Sequence, residues 1–168
     1  MVRVAIRMLH QDTTFRPPIK AYAEWLDTLP WTFWCTLTTP YELTLKQAFR
    51  LASRTYDAWS ELSGGRCTMF YAAERNQLRD GHHMHALVRL PEEFHQKELY
   101  SKLCDKYSTI TGARKYRYCR ITGDERWKSS NARIDLDKYD PKRAASGYLT
   151  KYLLKDRLSE YGIYHNQE

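Results

Sequence analysis

Two histidines one residue apart, His83 and His85, are the first candidates for chemistry in this chain. They lie in the stretch 81–88 (GHHMHALV), which reads as a strand. Side chains at i and i+2 of a strand point to the same face, so both imidazoles can bind one metal ion. The alternative is a half-buried strand with solvated imidazoles.

A second candidate is the stretch 148–155 (YLTKYLLK), which reads as part of a helix. Tyr148 and Tyr152 then lie one turn apart on one face, with Lys151 and Lys155 alongside. Tyrosine is a weak nucleophile at neutral pH, because its ordinary pKa is about 10. If a bound metal ion polarises a DNA phosphate beside these groups, a tyrosine hydroxyl can attack it. The pattern therefore predicts cleavage of a DNA strand through a phosphotyrosine link. The alternative is that the tyrosines are ordinary aromatic residues of an amphipathic helix.

A carboxylate usually completes a site of this kind, and Glu74 on the preceding strand is our candidate for the third ligand. If the loop spans 76–81 and closes symmetrically, Glu74 lies opposite His83. A tight turn on Asp80-Gly81 would instead pair Glu74 with Leu87. In a regular strand His82 points to the opposite face.

The net charge of +7 is concentrated near the end of the chain. From Ala113 onward, 13 Lys and Arg stand against 8 Asp and Glu, with aromatic residues interleaved. Such a pattern suits single-stranded nucleic acid, because cations follow phosphates and rings stack on bases. A solvated basic surface is the alternative. The candidate nucleic-acid-binding residues are Arg114, Lys115, Arg117, Arg120, Trp127 and Lys128.

The remaining pattern predicts a single α+β domain. A capping box at Thr44 and Gln47 begins one helix, and Gly64-Gly65 ends it. A second helix is predicted from near Pro91 to Gly112. The other predicted elements are strands at 31–39, 67–75, 83–90, 116–121 and 132–136 and a last helix at 141–159. This order favours a mostly antiparallel sheet covered by helices on one face.

We divide the chain into an N-terminal extension (1–30), a catalytic domain (31–160) and a C-terminal tail (161–168). No apolar run approaches the roughly 20 residues of a membrane span, and no signal peptide is evident. The four cysteines lack CxxC spacing and are expected to be reduced and structural. We expect a cytoplasmic protein.

The chain resembles the HUH endonucleases, in particular the rolling-circle initiators of small plasmids and single-stranded DNA phages. The resemblance rests on the histidine-hydrophobic-histidine triplet 83–85, on 34–39 (WCTLTT) and on 148–155, which is similar to a YxxKYxxK motif. It covers 31–155. Glu74 stands where that family often has its third metal ligand.

The resemblance implies an RRM-like, ferredoxin-like sandwich and a nick that depends on Mg²⁺ or Mn²⁺. It implies binding of single-stranded or hairpin origin DNA, and it slightly favours Tyr152 over Tyr148 as the initiating nucleophile. A host polymerase is an expected partner. No GxxxxGK[ST] sequence occurs, so we also expect a host helicase. The alternatives are a transposase or relaxase with the same chemistry, and a non-catalytic module that binds single-stranded nucleic acid.

Overall fold

The computed structural model describes residues 2–9, 24–112, 117–119, 134–143 and 160–167, with side chains described for 24–112, 134–142 and 162–165. The strands are β1 (Val2–Leu9), β2 (Phe33–Leu37), β3 (Thr68–Arg75), β4 (His82–Arg89), β5 (Arg117–Cys119), β6 (Ile134–Lys138) and β7 (Glu160–Gln167). The α-helices are α1 (Leu45–Leu62) and α2 (Lys97–Thr111), and short 3₁₀ turns cover Glu92–Phe94 and Pro141–Arg143. Within this part of the chain, no helix has the length and apolar character that a bilayer span requires.

The seven strands form one sheet in the order β1-β7-β3-β4-β2-β6-β5. Every neighbouring pair is antiparallel except β5 and β6, which are parallel. Helix α1 connects β2 to β3, and α2 follows β4. The four strands β3-β4-β2-β6 therefore have the order of a ferredoxin-like sandwich. The predicted α+β fold with a mostly antiparallel sheet is confirmed.

Helix α1 follows directly from its sequence. The predicted capping box is present, because the Thr44 side chain accepts from the backbone of Gln47 and the Gln47 side chain accepts from the backbone of Thr44. Tyr56 and Trp59 lie on its apolar face and are buried against the sheet. The apolar periodicity therefore predicts both the element and its buried side.

Helix α2 begins later than the sequence predicted. The turn at Glu92–Phe94 follows Pro91, but Gln96 is extended, with φ −106° and ψ 144°, and α2 starts only at Lys97. The His95 ring explains the interruption, because its Nε2 lies 3.1 Å from the Leu90 carbonyl oxygen and holds the chain beside the end of β4. The same Nε2 lies 3.3 Å from Thr32 Oγ1, a long-range contact. The α-helix start predicted near Pro91 is wrong, since only a 3₁₀ turn forms there and the α-helix begins at Lys97.

Two strands were not predicted at all. In β1, apolar residues alternate with Arg3 and Arg7, a period-two pattern, and β1 pairs along its length with β7. Strand β7 also pairs with β3. Its Tyr164 is buried between two rings, with centroids 5.1 Å from Tyr56 and 5.6 Å from Tyr71. The segments that the sequence analysis treated as extension and tail each supply a strand of the sheet.

The two faces of the sheet are packed differently. Helices α1 and α2 bury the main core on one face. On the other face a smaller cluster packs a helical turn at 24–27 against β3 and β4, with Leu26 and Trp31 buried. Trp31 Nε1 donates to the Leu26 carbonyl at 2.7 Å. This second face also carries the candidate site.

The cysteines whose side chains are described, Cys35, Cys67 and Cys104, are free and buried. Burial raises the pKa of the Cys67 thiol to about 12, so it stays protonated and unreactive. Their burial fits the expected structural role. Cys119 lies in β5, where only the backbone is described.

Gly81 allows a close backbone approach at the start of β4, and this gives a test of the fold. Its φ is +86°, and an added Cβ would lie 2.8 Å from the Leu43 nitrogen, whereas at Gly112, with φ +72°, nothing lies within 4 Å. We expect Gly81→Ala to lower the free energy of unfolding by about 2–4 kcal/mol, from strain plus overlap, and Gly112→Ala by only about 1 kcal/mol. Urea denaturation of both variants measures this, and equal losses would contradict it.

Candidate metal centre

The candidate metal centre is formed by the pairing of β3 and β4. Glu74 lies opposite His83, and Ala72 lies opposite His85. The predicted register is therefore confirmed, and the alternative pairing of Glu74 with Leu87 is excluded. Because side chains alternate along both strands, Glu74, His83 and His85 all project from the face opposite to α1 and α2.

The three side chains converge on one point. His83 Nε2 and His85 Nε2 are 3.0 Å apart, and Glu74 Oε2 lies 3.3 Å from the first and 3.2 Å from the second. Ligand atoms about 2.1 Å from one ion lie about 3.0 Å apart at right angles and about 3.4 Å apart at tetrahedral angles. The observed separations fall in this interval, so the triad is a possible metal-binding set with three ligands on one side of an ion.

Two neighbouring side chains orient the imidazoles. Asn76 Nδ2 donates to the Asp80 carbonyl at 3.0 Å, which turns its Oδ1 toward His83 Nδ1, also at 3.0 Å. Thr36 Oγ1 lies 3.2 Å from His85 Nδ1. If both Nδ1 atoms carry the proton and donate it to these oxygens, both Nε2 lone pairs are left to face Glu74. Such outer contacts fix the tautomer of metal-binding histidines.

The electrostatic surroundings keep His83 neutral. Its pKa is lowered from 6.5 to about 4, chiefly because burial disfavours the cation; the interactions with His85 and Arg79 also lower this pKa, and the interaction with Glu74 raises it. Glu74 and His85 are 9% and 5% exposed. Metal ions bind the neutral imidazole, so His83 is available as a ligand at neutral pH without first losing a proton.

His82 is separate from the centre. Its Nδ1 lies 2.8 Å from the Leu43 carbonyl oxygen, on the face of the sheet that carries α1. The prediction that this third histidine points away from His83 and His85 is confirmed. It anchors the loop before α1 instead of contributing a ligand.

The predicted nucleophiles lie outside the described residues. These are Tyr148 and Tyr152, together with Lys151 and Lys155. The same holds for Arg114, Lys115, Arg120, Trp127 and Lys128, and Arg117 is described only as backbone in β5. The last predicted helix, 141–159, is described only at its 3₁₀ start, where Asp140 Oδ1 accepts from the Lys142 nitrogen at 3.0 Å. These assignments stay predictions.

Sequence reasoning missed the residues that orient the ligands. Thr36 could have been predicted from the alternation of side chains along β2. It lies between two core-facing residues and therefore shares the face of the triad. Asn76 carries a weaker signal, a side chain with both donor and acceptor groups at the first turn position after β3. Comparison of the chain with protein-family profiles, curated proteins and solved structures found no match.

The triad should bind a divalent ion that the neighbouring His82 does not touch. We expect His85→Ala and Glu74→Ala to lower the Mn²⁺ affinity by at least about a hundredfold, and Asn76→Ala by about tenfold through loss of ligand orientation. Isothermal titration with Mn²⁺ measures these affinities. His82→Ala is the matched control on the same strand and should leave them unchanged. A similar loss in the control would mean that the ion binds elsewhere.

The low pKa of His83 gives a second test, on metal-free protein. The NMR signal of its ring should titrate near pH 4, and near pH 6.5 after unfolding in urea. Because the unfolded chain takes up this proton first as the pH falls, the His83 contribution lowers the free energy of unfolding between about pH 6.5 and 4. His83→Asn identifies the signal by its loss. A folded-state midpoint near 6.5 would contradict the prediction.

Proposed function

We propose that this protein is a rolling-circle replication initiator of the HUH endonuclease type, which nicks and rejoins single-stranded origin DNA. The observation that carries the proposal is the convergence of Glu74, His83 and His85 beside each other on β3 and β4. The tyrosine and lysine sequence 148–155, later in the chain, supplies the matching nucleophiles. The ferredoxin-like order of the central strands is the fold that the resemblance implies.

The donor set fits a divalent ion that must also contact substrate. Two imidazole nitrogens and one carboxylate oxygen occupy one side, so further positions remain for a phosphate oxygen and water. Of Mg²⁺ and Mn²⁺, the second accepts nitrogen ligands more readily, because Mg²⁺ prefers a shell of oxygen atoms. An ion bound here would polarise the scissile phosphodiester.

The chain's own groups then carry the cleavage step. The hydroxyl of Tyr152 or Tyr148 attacks the phosphorus, the tyrosine O–P bond forms, and the bond from phosphorus to the 3′-oxygen breaks. The phenolic proton ends on that oxygen, which leaves a free 3′-hydroxyl and a 5′-phosphotyrosine. Lys151 and Lys155 stabilise the negative charge that develops on the phosphate. Because the ester keeps the energy of the original bond, the step reverses and rejoins the strand.

Chain connectivity supports the proposal that the tyrosine segment 148–155 lies near the triad of Glu74, His83 and His85. Glu160, the first residue of β7, pairs with Ala73, which is next to Glu74. Seven residues lie between Tyr152 and Glu160, so the eight Cα-to-Cα steps span at most about 28 Å. The segment with the tyrosines is therefore tethered at the strand that carries a metal ligand.

The handedness of strand connections gives a further reason. β6 and β7 run in the same direction and lie on either side of the β3-β4-β2 group. The β2-α1-β3 crossover and the β6-to-β7 connection advance across the sheet in the same sense, but their strands point in opposite directions. Since such connections are nearly always right-handed, the two should lie on opposite faces. We expect the tyrosine segment on the face that carries the triad.

The charge distribution fits a nucleic-acid substrate. The segment from Ala113 onward has a net charge of +5, so its basic side chains can contact the phosphates of a single strand. Its aromatic residues are available for stacking on bases. The expected partners are an origin strand or hairpin and a host helicase and polymerase in the cytoplasm. The same chemistry in a transposase or relaxase would differ only in the DNA that is recognised.

The proposal is tested by trapping the covalent product. Incubation with labelled single-stranded origin oligonucleotides and Mn²⁺ should give a DNA–protein band on a denaturing gel. Either Tyr148→Phe or Tyr152→Phe alone should leave partial activity, whereas the double variant should lose the band. An undiminished band in the double variant would overturn the nucleophile assignment.

The histidine variants separate cleavage from binding. His83→Ala and His85→Ala should remove cleavage while DNA affinity, measured by fluorescence anisotropy, stays within about threefold, because phosphate contacts elsewhere supply most of the binding. A parallel loss of binding and cleavage would indicate a structural role for the histidines. DNA binding without any covalent product in wild-type protein would favour the non-catalytic single-strand-binding module.

A further inference from the structure

Arg79 holds an unusual position beside the metal centre. It lies in the 76–81 turn and reaches across the start of β4, where its Nη2 donates to the Thr39 carbonyl at the end of β2 at 3.0 Å. Because β4 lies between β3 and β2, this contact brings the guanidinium to the start of β4, the strand that carries His83. The turn that carries Arg79 is itself joined to the centre, because Asn76 contacts both Asp80 and His83.

The guanidinium has unused binding capacity. A guanidinium carries five N–H donors, and in the described part of the chain its one hydrogen bond goes to Thr39, with no carboxylate paired to it. Arg79 is also exposed. An arginine fixed by a backbone carbonyl and left without a counter-ion favours an anion, and its planar fork fits two oxygens of a phosphate.

Two exposed large apolar side chains lie close in the chain to Arg79 or to its partner Thr39. Leu78, its neighbour in the turn, is 100% exposed, and Tyr41 is 46% exposed. Tyr41 lies on the Thr39 side, since its carbonyl accepts from the Thr39 hydroxyl. An exposed ring near a phosphate site suits a nucleotide better than a bare anion, because a base can stack on it.

We propose that Arg79, together with an ion held by Glu74, His83 and His85, forms a binding site for a phosphodiester of single-stranded nucleic acid. Arg79 would pair with the non-bridging oxygens of the phosphodiester, while Glu74, His83 and His85 would hold an ion that neutralises its charge. The choice of nucleic acid as the source of the phosphodiester rests on the proposed function. The anion site itself rests on the position and free donors of Arg79.

The dinucleotide TpT, which has a single phosphodiester, is the probe. With Mn²⁺ kept below the protein concentration, TpT bound at the centre should show broadened ³¹P signals, and titration gives its affinity. Arg79→Ala should weaken TpT binding about tenfold, the loss of a charged hydrogen-bond pair, and Arg79→Lys should retain part of it. Arg75→Ala removes the same charge on the opposite face and should change the affinity by less than about twofold.

The outcomes separate this inference from the proposed nicking activity. Unchanged Mn²⁺ affinity in Arg79→Ala, measured by EPR, shows that the centre is intact. If Arg79→Ala then binds TpT as the wild type does, or if wild-type protein binds no Mn²⁺, the anion site is overturned. If TpT binding depends on Arg79 but wild-type protein forms no DNA adduct, the anion site stands and the initiator function fails. If wild-type protein forms DNA adducts but TpT binding does not depend on Arg79, the initiator function stands and the anion site fails.

Discussion

The register between β3 and β4 is the constraint on which the candidate site depends. Side chains alternate along a strand, so a slip of one residue would move Glu74 to the helical face and leave the two histidines without a carboxylate. The register is held from both sides, since β7 pairs with β3 and β2 pairs with β4. Buried residues on both faces of these strands make any other alignment costly, because apolar side chains would exchange places with the ligands.

The chemistry of the triad depends on where the ring protons lie. The two Nε2 atoms and Glu74 Oε2 lie within 3.3 Å of one another, and two of the residues are buried. If both ring protons are on Nδ1, all three atoms are acceptors, and a cation between them relieves their repulsion. Asn76 and Thr36 nevertheless hold both imidazoles in this arrangement. In that protonation state, three acceptors held this close together are typical of a site organised for a cation.

The sequence predicted the parts of this structure that follow from local patterns. The capping box and apolar period predicted α1, and one of the two turns considered, a symmetric loop at 76–81, predicted that Glu74 lies opposite His83. What it did not predict depends on tertiary contacts. The His95 contact with the Leu90 carbonyl delays α2, and the strands β1 and β7 are stabilised mainly by pairing with each other and with β3.

The same distinction applies within the site. The ligands could be predicted because residue type and spacing identify them, whereas Asn76, Thr36 and Arg79 matter through their positions in the folded sheet. A threonine or an arginine is common in any chain, and only its neighbours in space reveal a role. The assignments of Tyr148 and Tyr152 rest on sequence alone.

The ring of Tyr164, enclosed by Tyr56 and Tyr71, has an effect on the opposite end of its strand. A shift of β7 by one residue would bring Ile163 or His165 into that aromatic slot, where neither has the shape to fill it. The same shift would displace Glu160 along β3 by about 3.3 Å. An aromatic contact in the main core thus fixes where β7 begins along β3, with Glu160 paired to Ala73 and so next to Glu74.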